Sequence, residues 1–273
     1  FAAQVDKVLV VEELEPIIEN HCRQIGVEVS GKDVLPMIDE LTQGVVARCL
    51  GRPEKETVTL EDEIPGRPPV MCAGCPHRGV FYTLSKNKCM VYGDIGCYTL
   101  GMLPPLRMAD FLVCMGSSVS AGSGFARASG KPVVAFIGDS TFFHSGMTGL
   151  ANAVFNKHDI LVVILDNGTT AMTGHQPNPG MLQDILGEEA MHLDIESVVR
   201  GLGVTECVKV RSYNLKALHS ALEDMRDKKG VRVIIAEEPC VLYARRRLKK
   251  AAAQVAYVAE QGADAQRCLE ELA

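Results

Sequence analysis

Between residues 89 and 238, apolar residues fall in short unbroken runs separated by stretches with helical spacing. The runs are CMVYGD (89–94), FLVCMG (111–116), PVVAFIGD (132–139), ILVVILDN (160–167), VTECVKV (204–210) and VRVIIAEE (231–238). Runs of this length without polar alternation read as strands buried on both faces. The intervening SAGSGFARA, HSGMTGLANAVFNK and NLKALHSALEDMRDKK read as helices. Buried strands joined by helices predict an α/β fold, a doubly wound parallel sheet with helices on both faces. Most of the runs close on a polar or glycine turn: Gly93-Asp94, Met115-Gly116, Gly138-Asp139, Asp166-Asn167 and Glu238-Pro239-Cys240. In a parallel sheet these tips share one edge, and ligands bind beyond it.

The first fifty residues follow a different pattern. KVLVVEE (7–13) is a short β-rich run, LEPIIENHCRQI is helical in spacing, and residues 31–50 carry a further helical pattern. GRPEKETVTLEDEIPGRPP (51–69) is charged and proline-rich, as a linker or wrapping loop would be. The expected organisation is therefore the end of a preceding α/β domain (1–50), a linker (51–69), the main domain (70–245) and a helical tail (246–273). Phe1 stands where no Met or signal-peptide pattern is found, and ADAQRCLEELA ends inside a helical pattern, so a longer polypeptide is expected.

Composition narrows the class. Apolar residues make up 47% of the 273, charged residues 23%, and the net charge is −6, so nothing favours nucleic acid or an anionic membrane. No apolar stretch reaches transmembrane length. Ten cysteines spread over a large α/β pattern, without a secretory signal, point to metal or catalytic use rather than a disulfide framework, and to the cytoplasm. Cys22, Cys49, Cys89, Cys114 and Cys207 sit in apolar or amphipathic runs and read as small buried side chains.

The chemistry concentrates in GDSTFFHSGMTGLANAVFNKHDILVVILDNGT (138–169). Asp139 offers a hard oxygen at one strand tip, Asn167 a second at the next, and a backbone carbonyl near Thr169 a third. Mg²⁺ takes such oxygens and shares its shell with phosphate. Gly138 lets the backbone come close to a ligand. The helix beginning after Ser140 turns its N-terminal amides to the same place, which favours an anion. Metal plus diphosphate is the expected occupant. A strand-end Asp capping a helix and an Asn in a turn is the ordinary alternative for either residue alone.

CAGCPHR (72–78) admits a redox switch, half a zinc site, half an iron–sulfur site or chance. Cys97 follows the tip Gly93-Asp94 and Cys240 follows Glu237-Glu238, so the parallel-sheet reading puts both at the metal edge. The loop of Cys72 and Cys75 could reach it. Four converging thiolates suit an iron–sulfur cluster or structural zinc. His77, His144 and His175 lie near these loops as candidates for binding a substrate carboxylate or moving a proton, with helix-cap and surface roles as their alternatives. Asp94 is a candidate cofactor contact or turn cap.

Gly-Asp followed at this distance by a pair ending in Asn resembles the thiamine diphosphate signature, GDG…NN, written here as GDS…DN. Ser140 and Asp166 are the departures. With CAGCPHRG, GDIGCYTLG (93–101), TTAMTGHQPNPG (169–180) and the opening VLVVEELEP, nearly the whole chain resembles the thiamine-binding region of the indolepyruvate ferredoxin oxidoreductase alpha subunit, among the 2-oxoacid:ferredoxin oxidoreductases. The resemblance implies thiamine diphosphate with Mg²⁺ on Asp139, Asn167 and the Thr169 backbone, and cofactor contacts from Asp94, Met115, Gly116, Gly138 and Ser140. Met115, before Gly116, would prop the cofactor into its bent shape. It implies an iron–sulfur cluster on Cys72, Cys75, Cys97 and Cys240, and His77 and His175 are the catalytic candidates. An aryl 2-oxoacid, coenzyme A and ferredoxin would be the reactants. A beta subunit, a missing N-terminal domain carrying the glutamate that thiamine needs, and an oligomer are implied as well. A non-oxidative decarboxylase or an acetolactate synthase-like enzyme would share Asp139 and Asn167 without needing the cysteines. A non-catalytic subunit with structural zinc would need only the cysteines.

Overall fold

The computed structural model describes residues 1–53, 65–86 and 89–249. The middle of the expected linker and nearly all of the expected tail lie outside these residues. The chain divides into two units, Phe1–Arg67 and Pro68–Ala273.

In the first unit, α1 (Ile17–Gln24) and α2 (Gln43–Cys49) are the longer helices among the described residues. The expected strand at 7–13 amounts to one parallel bridge, Leu9 to Ser30. Glu19 explains the compactness of this corner. It is 2% exposed, pairs with Arg23 at 2.6 Å and accepts from the Lys32 amide at 2.9 Å.

Among the described residues the second unit is built on five parallel strands: β1 (Met90–Tyr92), β2 (Val133–Gly138), β3 (Ile160–Asp166), β4 (Glu206–Arg211) and β5 (Val231–Glu237). Their order across the sheet is β1-β2-β3-β5-β4, with every neighbouring pair parallel. Period-two alternation divides each central strand between two cores. Val134, Phe136, Leu161, Val163, Leu165 and Ile234 face α3 (His77–Leu84) and α8 (Leu215–Arg226). Val133, Ala135, Ile137, Val162, Ile164 and Ile235 face α4 (Ser117–Ser129), α6 (Met147–Phe155) and α7 (Ile195–Gly201). Both faces are covered, which is why the strands read as continuous apolar runs.

One expected strand is absent. FLVCMG (111–116) makes a single parallel bridge, Tyr92 to Phe111, and then leaves the sheet. Val113 is 61% and Met115 40% exposed, so these apolar side chains do not belong to the core. The chain is diverted because Asp94 captures the backbone at Gly116 and Ser118 and starts α4 there.

The register brings the strand tips together. Gly138 pairs with Leu165 and Asp166 with Glu237, so β2, β3 and β5 end side by side. From Gly138 the chain runs directly into a continuous helix: α5 (Asp139–Thr141), a π-helical turn (Phe142–Gly146) and α6. The helix thus starts at Asp139 itself, earlier than expected. π-turns inside helices recur beside functional sites. His144, on this turn, is exposed.

Candidate functional site

A cavity of about 100 Å³ opens at the strand tips, lined by Tyr98, Met115, Gly138, Asp139, Ser140, Asn167, Thr169 and neighbouring backbone. Asp139 is its charged centre. Asp139 Oδ1 accepts from the Ser140 amide at 2.8 Å, and Oδ2 from the Thr169 amide at 3.1 Å and Asn178 Nδ2 at 3.2 Å. These donors are all uncharged. Burial, reinforced by Asp166, raises the Asp139 pKa to about 7. A buried carboxylate surrounded by oxygens and neutral donors suits a hard cation.

Asn167 stands beside it. Its Oδ1 accepts from the same Thr169 amide at 3.2 Å, so Asp139 and Asn167 present oxygens around one N–H. Gly168, at φ 67°, turns the backbone between Asn167 and Thr169. Thr169 is 1% exposed, and its Oγ1 has no hydrogen-bond partner. Ser140 Oγ accepts from Thr170 Oγ1 at 2.8 Å on the cavity wall. The residues therefore fit Mg²⁺ and a diphosphate: two side-chain oxygens, the backbone around an unpartnered hydroxyl, and the start of a helix.

Gly138 is required for a reason other than ligand approach. A Cβ there would lie 2.4 Å from Tyr98 Cε1, and one on Gly96 would lie 2.5 Å from the same atom. The Tyr98 ring is wedged between the two glycines, and its hydroxyl meets Ile95 O at 2.7 Å and Thr141 Oγ1 at 3.0 Å. Asp94 does not line the cavity. Fully buried, it accepts from the amides of Ile95, Gly116 and Ser118 at 2.8, 2.8 and 3.0 Å. It holds the turn that presents Met115, and Gly116 takes φ 84° within that turn.

A second cavity, of about 70 Å³, adjoins the first. Cys72, Cys75, Cys97 and Cys240 all line it, with His77 and His175. Cys97, Asn167 and Ala171 line both cavities. The cysteine loops are well braced. Arg78 Nε donates to Cys72 O at 2.9 Å, Tyr213 Oη to Gly74 O at 2.7 Å, and the Cys240 amide to Asn167 O at 2.9 Å. Burial pushes the Cys75 thiol up to about pKa 11, with Cys97, Cys72 and Cys240 adding to it. Burial also raises Cys97, followed by Cys240 and Cys72. Among the described residues no group of three His, Cys, Asp or Glu side chains is drawn close enough to hold a metal ion as it stands. The thiols share a cavity without forming a closed shell. Of the cysteines expected to be buried filler, Cys89 and Cys207 pack against the cores, Cys22 and Cys49 are half-buried, and Cys114 is exposed.

The two histidines differ. His77 is 2% exposed, and burial lowers its pKa to about 4. It is therefore neutral at pH 7. Its Nε2 lies 3.2 Å from Asn167 Nδ2. His175 has φ 69° and stacks on Tyr243 with ring centroids 5.7 Å apart. Burial first and Arg246 second lower its pKa. Asn178 and Tyr98 were not singled out in sequence, although both stand inside quoted motifs. Asn178 lies in an N-P-G turn, an ordinary loop signal that hides its contact with Asp139.

Among the described residues no helix is long and apolar enough to cross a membrane. Comparison with known proteins follows the geometry. The chain is 40% identical over 263 residues to the indolepyruvate oxidoreductase subunit IorA of Methanothermobacter thermautotrophicus, covering 89% of this chain and 43% of that protein. It is 41% identical over 271 residues to the same-named subunit of Archaeoglobus fulgidus, covering 92% and 44%. The chain thus spans under half the length of these curated relatives. A 2-oxoglutarate:ferredoxin oxidoreductase from Magnetococcus marinus shares the fold, with TM-score 0.57, 16% identity and coverage of 64% of this chain and 66% of that one. The family profile described as "Thiamine pyrophosphate enzyme, C-terminal TPP binding domain" matches residues 94–236, just over half of the chain, taking in β2, β3, β4 and nearly all of β5. With its strand-tip Asp139 and Asn167 inside that match, the chain belongs to the thiamine pyrophosphate enzymes, as their C-terminal TPP-binding domain.

Proposed function

We propose that this chain is the thiamine diphosphate- and Mg²⁺-binding part of an oxidoreductase that oxidatively decarboxylates an aryl 2-oxoacid, indolepyruvate, with ferredoxin as acceptor. The balanced reaction is 2-oxoacid, coenzyme A and two oxidised ferredoxins giving acyl-CoA, CO₂, two reduced ferredoxins and a proton. One observation carries the reading: the metal-site cavity and the four-cysteine cavity share Cys97, Asn167 and Ala171 as a common wall. A non-oxidative decarboxylase has no use for four thiols at that place. An enzyme that sheds electrons one at a time does, because clusters are one-electron carriers.

In this reading Asp139, Asn167 and the Thr169 backbone hold Mg²⁺, and Gly138 and Ser140 border the diphosphate. Met115, on the cavity lining and in the turn held by Asp94 and Gly116, would support the cofactor. Thiamine supplies the carbanion chemistry when bound. Cys72, Cys75, Cys97 and Cys240 hold an iron–sulfur cluster, and His175 at the cavity edge is the candidate to meet the substrate. A beta subunit and a further portion of the enzyme, supplying the glutamate against the thiamine ring, complete the site. The relatives' greater length and their name as a subunit support this.

Anaerobically purified protein, assembled with its partner, tests the reading. Thiamine diphosphate is titrated with and without Mg²⁺, against Asp139→Ala, while the visible spectrum is recorded and indolepyruvate, coenzyme A and ferredoxin are added. Mg²⁺-dependent binding lost in the variant, with a brown chromophore bleached by the 2-oxoacid, is expected. Turnover of the 2-oxoacid to an aldehyde without a chromophore would replace the reading with a plain decarboxylase. Stoichiometric zinc without thiamine binding would replace it with a structural subunit.

A further inference from the structure

We propose that His77 is a positioning residue for the metal site: its buried imidazole fixes the Asn167 amide so that Oδ1, not Nδ2, faces the cation. The inference rests on the reading of Asn167 as a Mg²⁺ ligand. An asparagine amide is nearly symmetric in shape. A half-turn exchanges its acceptor for a donor, and only the acceptor ligates a cation. Something must therefore select the orientation.

Two contacts do so. The Thr169 amide donates to Asn167 Oδ1 at 3.2 Å, and Asn167 Nδ2 lies 3.2 Å from His77 Nε2. The Thr169 amide is divided, because it also donates to Asp139 Oδ2 at 3.1 Å. His77 supplies the second selection. With its proton on Nδ1, Nε2 accepts from Nδ2. After a half-turn, Nδ2 would face the Thr169 N–H and Oδ1 would face the Nε2 lone pair; moving the ring proton to Nε2 would relieve only the second of these clashes. At 2% exposure His77 has no solvent to soften that mismatch.

The ring itself is held. His77 begins α3, and its edge-on contact with Tyr98 has centroids 5.8 Å apart at 80°. Its backbone amide bonds to Cys75. The other end of Asn167 is pinned as well, its carbonyl accepting from the Cys240 amide at 2.9 Å. The residue proposed as metal ligand is thus clamped by two of the cysteine-bearing segments, and His77 is the side chain through which the Cys72–Cys75 loop reaches it. The sequence interval between His77 and Asn167 is 90 residues, so the contact is a product of the fold alone.

The test is Mg²⁺ affinity, read by calorimetric titration of MgCl₂ at saturating thiamine diphosphate in the assembled enzyme, with a thermal melt of each sample. Wild type is compared with His77→Leu, which fills space without an acceptor, and His77→Gln, whose Oε1 reaches about where Nε2 sits. His77→Leu is expected to weaken Mg²⁺ by about tenfold, and His77→Gln to restore it to within about threefold. Unchanged Mg²⁺ affinity in a folded His77→Leu would overturn the inference while leaving the metal reading intact. So would an equal loss in Leu and Gln variants tracking their melting temperatures, since that is what a packing role gives. If His77→Leu does not fold, the Gln variant decides: near-normal affinity supports the inference and a tenfold loss overturns it. A wild type that binds thiamine diphosphate without regard to Mg²⁺ would remove the metal reading itself.

Discussion

Asn178 Nδ2 donates to Asp139 Oδ2 at 3.2 Å, from within the loop that follows β3. Asn178 is nearly buried, and its own Oδ1 is held by the Gly180 amide at 2.9 Å. The donor therefore stands in a fixed place and aims the carboxylate. Asn178→Ala removes a hydrogen bond to a charged group, a loss of about 1.5 kcal/mol or more. Mg²⁺ affinity at saturating thiamine diphosphate should fall about tenfold. Asn178→Asp should fall further, because it sets a like charge against Asp139. Calorimetric titration of both variants checks the order.

Asp139 carries a pH dependence of definite sign. Its pKa moves from 3.8 to about 7 on folding, chiefly by burial. The folded protein thus holds a proton that the unfolded chain has released between these values. The stabilisation is complete below pH 3.8 and disappears as pH rises through about 7. Metal-free wild type should lose stability relative to Asp139→Asn between pH 4 and 8. The variant should melt several degrees higher at pH 8 and bind no Mg²⁺. Mg²⁺ affinity of the wild type should drop about tenfold per pH unit below 7, as the metal displaces one proton. Scanning calorimetry and titration across this range measure both slopes.

The cysteine cavity yields a prediction about loading. Burial and the mutual proximity of Cys75, Cys97, Cys72 and Cys240 keep the Cys75 thiol protonated up to about pH 11. Metal entry must release those protons, so iron incorporation from Fe²⁺ and sulfide should rise with pH from 7 to 9. Serine at Cys72, Cys75, Cys97 or Cys240 should lower bound iron and the visible absorbance. Serine at Cys207, which packs against the core beneath α7, should leave both unchanged. Iron and sulfide assays per chain distinguish the two groups.

The sheet was legible because burial on both faces erases alternation, and only a parallel sheet between helix layers does that. The same signal misled at FLVCMG. Val113 and Met115 are as apolar as core residues, but both stand exposed, Met115 on the cavity wall, and periodicity does not separate an exposed apolar run from a core. The metal candidates were legible because Asp139 and Asn167 end adjacent strands. Partners fixed by tertiary approach were not. His77 and Asn167 meet across 90 residues of chain, and the three amide donors to Asp94 come from two segments. α7 was missed although Asp194 caps it, accepting from the Ser197 amide at 2.7 Å, because its apolar face is only two turns long.

Asp94 and Met115 offer a separation of scaffold from contact. Asp94 binds three amides with both oxygens, and two of those amides lie on either side of Ser117 at the start of α4. Asp94→Asn keeps the shape but replaces one acceptor with an NH₂ facing an N–H. That mismatch, fully buried, should cost about 1–3 kcal/mol. It also loosens the turn in which Gly116 holds φ 84° and Met115 faces the cavity, so both melting temperature and thiamine diphosphate affinity should fall. Met115→Ala removes a partly exposed side chain and leaves the turn intact. Its melting temperature should stay close to that of wild type while thiamine diphosphate affinity falls. Gly116→Ala should resemble Asp94→Asn more severely, because its Cβ would stand 2.6 Å from Ser145 Oγ and 3.0 Å from the Ser145 carbonyl oxygen. Paired melts and titrations of the three variants decide it. Met115→Ala losing stability as Asp94→Asn does would mean that Met115 is core, and not a surface offered to the cofactor.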